Sequence, residues 1–160
     1  MPDEDSYTLE EAESAFAKKL NGRVWQLLET PDRSSQDDEL MVHAAHASCY
    51  HWLQVGTALH HQRAEWLISK VYSTLGRADS ALRHAELCRE LTRESSDLME
   101  DFDVAYSHEC LARANGSAGN LDEARNQLRL ADEAGQAIAN EEDRRIFLDD
   151  LQAGDWFGLK

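Results

Sequence analysis

Proline and glycine are scarce, with two prolines and eight glycines in 160 residues. That scarcity speaks against disorder away from the chain ends and fits a soluble, ordered, helix-rich protein. No stretch alternates apolar and polar residues for long enough to make a half-buried strand, whereas apolar residues recur at three- and four-residue intervals almost everywhere. Cysteine is limited to Cys49, Cys88 and Cys110, far apart and with no C-x-x-C pair, so buried free thiols packed as small hydrophobes are expected. Basic residues are also few: 16 against 31 acidic, a formal charge of -15. The net field repels phosphates, and no local basic run offsets it, which argues against nucleic acid and anionic membrane as partners. An apolar run of about 18 residues, the minimum for a spanning helix, is missing. The start "MPDEDSYTLEE" is acidic where a secretory signal is basic and then apolar, so a cytoplasmic location is expected.

What remains is an all-α chain long enough to bury a core as a single domain over 1–160. Helix starts are marked by Thr8-x-x-Glu11, Ser35-x-x-Asp38, Asn120-x-x-Glu123 and Asn140 with Asp143. In each, a side-chain acceptor can satisfy an orphan N–H while an acid favours the positive helix end. Gly56, Gly76 and Gly119 mark stops, as the residue that enters the left-handed conformation most easily, and Pro31 breaks the chain after the first helix. These signals predict helices near 8–29, 36–55, 59–76, 78–94, 101–118, 120–139 and 141–152, with a disordered lead over 1–7 and an aromatic tail over 153–160.

Two segments repeat. "EWLISKVYSTLGRADSALRHAELC" and "HECLARANGSAGNLDEARNQLRLA" align without gaps, placing Gly76 on Gly119 and Ala81 on Ala124. Each reads helix, glycine, tight turn, helix. Glu65, Ile68, Ser69, Tyr72, Ala81 and Ala85 in one copy, and His108, Leu111, Ala112, Asn115, Ala124 and Leu128 in the other, occupy the signature positions of a known pattern. On these positions the sequence resembles the tetratricopeptide repeat family over residues 62–139, about half the chain. The family's usual Trp, Phe and Pro are absent, and the spacing between copies exceeds the family's unit, with the extra length assigned to "ESSDLMEDFD". The resemblance implies a right-handed α-solenoid of about three antiparallel helix pairs. The helices near 8–29 and 36–55 would form a degenerate first pair, and the last helix a solvating cap. Small residues at Ala81 and Ala124 have a reason apart from the family, because close helix crossing leaves no room for a longer side chain.

The resemblance further implies a concave groove that binds a protein or peptide, contacted through Arg63, Trp66 and Lys70 in one copy and Tyr106, Glu109 and Arg113 in the other. On a helical wheel of about 100° per residue, Ala64, Leu67, Ile68, Val71, Tyr72 and Leu75 share one face, and Arg63, Trp66, Lys70 and Ser73 the opposite one. Trp66 is thus a recognition anchor or a residue packed on a neighbouring helix or the tail. Arg63, Lys70 and Arg113 together suit an acidic or carboxylate-bearing segment, although Glu109 and Arg113, four apart, suit simple pairing on a helix face. The family's chaperone-tail clamp is not reproduced at these positions.

The stretch "HAAHASCYHW" poses a metal question, with His60, His61 and Glu65 following in "HHQRAEW". On the wheel, His46 borders the apolar stripe of Val42, Cys49 and Leu53, while His51 points away from it. His51 also lies about 12 Å along the axis from His43, too far for both to reach one ion at roughly 2 Å. His43 and His46 survive as a candidate pair that needs a ligand from a facing helix, and would serve a metal-assisted hydrolase or oxidoreductase. No H-E-x-x-H, no G-x-S-x-G and no phosphate-binding glycine loop is present. Trp156 and Phe157 stand together in "GDWFGLK" and are expected to dock, on this chain's groove or on another copy as a homo-oligomer. The leading expectation is a non-catalytic protein- or peptide-binding scaffold without cofactor. A metal-dependent enzyme on His43 and His46, and a self-association module on the tail, are the alternatives.

Overall fold

A computed structural model describes residues 6–160. The expected disorder at the start lies, for residues 1–5, outside the described residues. Seven α-helices follow in order: α1 (Leu9–Glu29), α2 (Ser35–Val55), α3 (Ala58–Thr74), α4 (Ala78–Glu94), α5 (Asp101–Ser117), α6 (Leu121–Gln136) and α7 (Glu141–Gln152), with a short 3-10 turn at Ser96–Leu98 between α4 and α5. No strand occurs among the described residues, and none of their helices is long and apolar enough to cross a membrane.

Local chemistry sets several boundaries. At the start of α1 the Glu11 amide donates to Thr8 Oγ1 and the Thr8 amide donates back to the Glu11 carboxylate, satisfying two orphan donors reciprocally. The same box opens α2 on Ser34 and Asp37, one residue before the expected Ser35 and Asp38. Asn140 caps α7 by accepting from the Asp143 amide at 3.0 Å. Asn120 makes no such cap; its amide group donates to Asn115 Oδ1 instead.

The turns between α3 and α4 and between α5 and α6 are the same turn built twice. Gly76 and Gly119 adopt φ of 70° and 81°, and the amides after them, Arg77 and Asn120, each donate to a carbonyl five residues back, Tyr72 and Asn115, at 2.9 Å. This is the Schellman arrangement, in which a left-handed residue lets the chain close orphan carbonyls. Gly56 departs from expectation: it is extended, with φ of -89° and ψ of 177°, and ends α2 by donating to the Trp52 carbonyl without a left-handed turn.

α1 packs on α2, α3 on α4 and α5 on α6, and the hairpins join through α2 with α3, α4 with α5 and α3 with α5. α7 lies on α5 and α6. Ala81 and Ala124 are fully buried at the two equivalent crossings. At the first, the backbones come so close that Ser69 Oγ donates to the Ala81 carbonyl at 2.9 Å. One apolar cluster, including Val24, Leu27, Met41, Ile68 and Val71, joins α1, α2 and α3; another, including Ala112, Ile138, Phe147, Leu151 and Trp156, ties α5 and α6 to α7 and the tail. All three cysteines are free and buried.

Candidate functional site

Helical periodicity turns every third or fourth residue of α3 the same way, and Arg63, Trp66 and Lys70 project together toward α1 and α5. A pocket of about 390 Å³ opens there, walled by Asn21 and Trp25 of α1, Gln62, Arg63, Trp66 and Leu67 of α3, Phe102, Asp103 and Tyr106 of α5, and Asp150 of α7. Of the six residues singled out by sequence, Arg63, Trp66 and Tyr106 line it. Lys70 and Arg113 line an adjoining cavity of about 400 Å³ that shares Asp150 and runs along the tail.

Trp66 is packed on neighbouring helices and also walls the pocket. Its ring stacks on Trp25 at 6.0 Å between centroids and meets the edge of Tyr106 at 5.2 Å, and its indole N–H donates to Glu109 at 3.0 Å. It is packed and half-buried, yet still forms a wall of the pocket. Tyr106 continues the aromatic surface onto Phe147, with ring centroids 4.7 Å apart, and donates its hydroxyl to Asp150. Burial, followed by that hydrogen bond to a carboxylate, pushes the Tyr106 phenol well above its ordinary range, so it stays protonated and donating.

The three cations expected to trap a carboxylate have partners within the chain. Arg63 forks onto Asp103 with contacts of 2.8 and 3.0 Å and lies over the Phe102 ring at 5.1 Å. Asp103 is buried, so this bidentate pair closes one rim of the pocket. Lys70 sits over both Trp25 and Trp66, at 6.0 and 5.6 Å from their centroids. Arg113 pairs with the buried Glu109, the i,i+4 pairing that the sequence allowed, and also donates to the carbonyls of Asp150, Ala153 and Asp155. Glu109 therefore serves as an acceptor held between Trp66 and Arg113.

Arg113 also fixes the tail. Its guanidinium lies 4.1 Å from the centroid of Trp156, whose indole donates to the Leu151 carbonyl at 2.9 Å. Trp156 is 5% exposed, and the Phe157 ring rests on α5 at Gly116, where an added Cβ would approach it to 2.7 Å. The tail docks on its own chain, against α5 and α7.

The histidines of α2 are dispersed. His46 Nε2 lies 2.9 Å from the Tyr72 hydroxyl, and its ring meets His84 edge-on; His51 pairs with Glu13 of α1; His43 is exposed. Burial comes first among the causes that push the His46 imidazole below its ordinary value, followed by the charge of His84. No carboxylate among the described residues converges with His43 and His46. Among the described residues, the one group of three ligand-type side chains with converging donor atoms is Cys49, His61 and Glu65.

Sequence reasoning missed Trp25, Phe102, Asp103 and Asp150 as pocket walls and Glu65 as a buried carboxylate. The spacing of His61 and Glu65, four apart on one helix, was the available signal for the latter; for Asp103, 40 residues from Arg63, there was none. Compared with protein-family models, curated proteins and solved structures, the chain finds no match in any of the three.

Proposed function

We propose that this protein is a non-catalytic, tetratricopeptide-like binding module that receives a peptide segment of a partner protein in the pocket between α1, α3 and α5. The observation that carries the reading is the pocket's wall: Trp25, Trp66, Phe102 and Tyr106 gathered from three helices around about 390 Å³. A concave site that combines four aromatic rings with placed polar groups suits a buried side-chain anchor, and rigid rings gain contact area at low entropic cost. Successive antiparallel hairpins with equivalent turns support the helical-repeat reading of the architecture, with α7 in the place of the cap.

The anchor is an aromatic or aliphatic side chain, and the segment beside it is basic rather than acidic. A carboxylate entering the pocket would have to displace Asp103 from Arg63, whereas the exposed Asp150 on the rim and the overall charge of -15 favour a cation.

Selection from a random peptide library tests this. Enriched peptides should carry an aromatic or aliphatic residue next to Lys or Arg. They should also lose binding to Asn21→Trp, which fills the pocket from α1 without removing a native contact of the aromatic wall. Unchanged binding to that variant, at an unchanged melting temperature, would place the site elsewhere.

A further inference from the structure

On the side of α3 away from the pocket, Glu65 is buried with its side chain 8% exposed, and it gathers polar groups from three helices. Its Oε1 lies 3.1 Å from His61 Nε2, one turn back on α3, and 3.9 Å from Cys49 Sγ of α2. Donor atoms of these three residues all lie within 4.8 Å of one another. A tetrahedral ion bound at about 2.3 Å to sulfur and about 2.0–2.1 Å to nitrogen and oxygen needs donor separations of about 3.3 to 3.6 Å, so the two contacts of Glu65 Oε1 need shifts of some tenths of an ångström and the thiol and imidazole must close by up to about 1 Å, a rotamer adjustment. We propose that Cys49, His61 and Glu65 form a site for a zinc-type divalent cation, with a fourth position open to solvent beside His61. One thiolate, one imidazole and one carboxylate make a borderline-soft donor set, which suits zinc or cobalt and disfavours magnesium and calcium.

The surroundings are those of a held ligand. His84 of α4 contacts the other carboxylate oxygen, Oε2, at 2.5 Å, leaving Oε1 for the ion. His84 is itself fixed by the Tyr72 ring stacked on it at 5.7 Å and by the edge of His46 at 5.3 Å. Outer partners of this kind orient metal-bound carboxylates. His61 is 32% exposed and supplies the route in. Without an ion, burial and then the neighbouring Glu65 charge hold the Cys49 thiol up at about 12, so it stays protonated. Binding forms Sγ–metal, Nε2–metal and Oε1–metal bonds. The proton on Cys49 Sγ is released to solvent as the Sγ–metal bond forms.

The test uses the full-length protein purified without a histidine tag, stripped with chelator and titrated with cobalt(II) and then zinc(II) in weak buffer. The expected result is one ion per chain, release of the thiol proton, and a sulfur-to-cobalt charge-transfer band that zinc abolishes. Cys49→Ala should remove the band, and His61→Ala should weaken binding by more than about a hundredfold. His84→Gln should weaken it about 10- to 100-fold, as loss of an outer partner does. His43→Ala should change nothing. Should Cys49→Ala fail to fold, His61→Ala alone decides, since that side chain is partly exposed. Absence of a charge-transfer band, or cobalt affinity unchanged in His61→Ala, overturns the site and leaves a hydrogen-bonded polar cluster.

Discussion

The hairpins α3–α4 and α5–α6 are built on one plan and filled with different chemistry. Both turn on a left-handed glycine, and both cross at a fully buried alanine. Both also join their helices by a polar pair at the same two positions: Glu65 with His84 in the first, His108 with Gln127 at 2.8 Å in the second. Where the first copy has Arg63, Trp66 and Lys70, the second has Tyr106, Glu109 and Arg113. The two sets interlock, Trp66 donating to Glu109 and meeting the edge of Tyr106. Backbone geometry fixes where side chains meet, and the residue types then decide what the meeting can do. In the first hairpin the pair includes a carboxylate, which also contacts Cys49 and His61; in the second it joins an imidazole to an amide, and a valine, Val104, stands where His61 would be.

The coverings differ most, so removing one should have the largest effect. The second hairpin is closed by α7 and the tail, and Trp156→Ala should cost about 3–5 kcal/mol, as loss of a buried large aromatic does. Urea unfolding measures it; a loss below about 1 kcal/mol would mean that the tail is not part of the core. Next come the crossings. Ala81→Leu and Ala124→Leu should each destabilise by about 1–3 kcal/mol through overpacking. A clear difference between them would break the equivalence of the two copies.

Transplanting the polar pair sharpens the comparison. Glu65→His alone leaves His84 without its acceptor and should cost about 1–3 kcal/mol. Adding His84→Gln recreates the second copy's pair and should recover part of that loss, with coupling of about 0.5–3 kcal/mol in a double-mutant cycle. The pH response separates the pairs as well. Burial pushes the Glu65 carboxyl up, but the hydrogen bonds and charges of His84 and His61 more than offset this and hold it below its ordinary value of 4.5. His46, an exposed imidazole lowered from 6.5 by partial desolvation and then by the charge of His84, likewise binds protons somewhat less readily when folded than when unfolded. Stability from both groups is therefore present at neutral pH and lost as pH falls, through His46 from about 6.5 downward and through Glu65 below about 4.5. Melting curves between pH 5 and 3 should show a smaller acid loss for the double variant than for the parent, and equal losses would contradict the assignment to Glu65. The smallest effects belong to the turns: Gly76→Ala and Gly119→Ala should each cost about 1 kcal/mol, since the left-handed backbone strains a side chain although space is open at both.

Local signals made much of the fold readable. Thr8 with Glu11, Asn140 with Asp143, the two turn glycines and the two crossing alanines act within a few residues, so spacing alone exposes them. The start of α2 slipped by one residue because Ser34-x-x-Asp37 and Ser35-x-x-Asp38 are equivalent patterns, and tertiary context selects the first. Part of the pocket was legible too: Arg63, Trp66 and Tyr106 follow from the resemblance to the repeat family, and helix periodicity independently sets Arg63 and Trp66 on one face. Their partners were not, because Asp103 reaches Arg63 and Asp150 reaches Tyr106 from about forty residues away, across packed helices. "ESSDLMEDFD", read as spacer, holds the 3-10 turn and delivers Phe102 and Asp103 to the rim. The metal question attached to "HAAHASCYHW" moved from His43 and His46 to Cys49, because the convergence depends on how α2 faces α3.

The most direct test of the binding pocket uses the four tryptophans as reporters, since each gives one indole N–H resonance. Trp25 and Trp66 wall the pocket, while Trp52 lies away from it, stacked on His60, with ring centroids 4.5 Å apart. Titration of the ¹⁵N-labelled protein with a selected peptide should shift the Trp25 and Trp66 indole signals together in a saturable way and leave Trp52 in place. Saturable binding that leaves Trp25 and Trp66 unmoved would contradict the account.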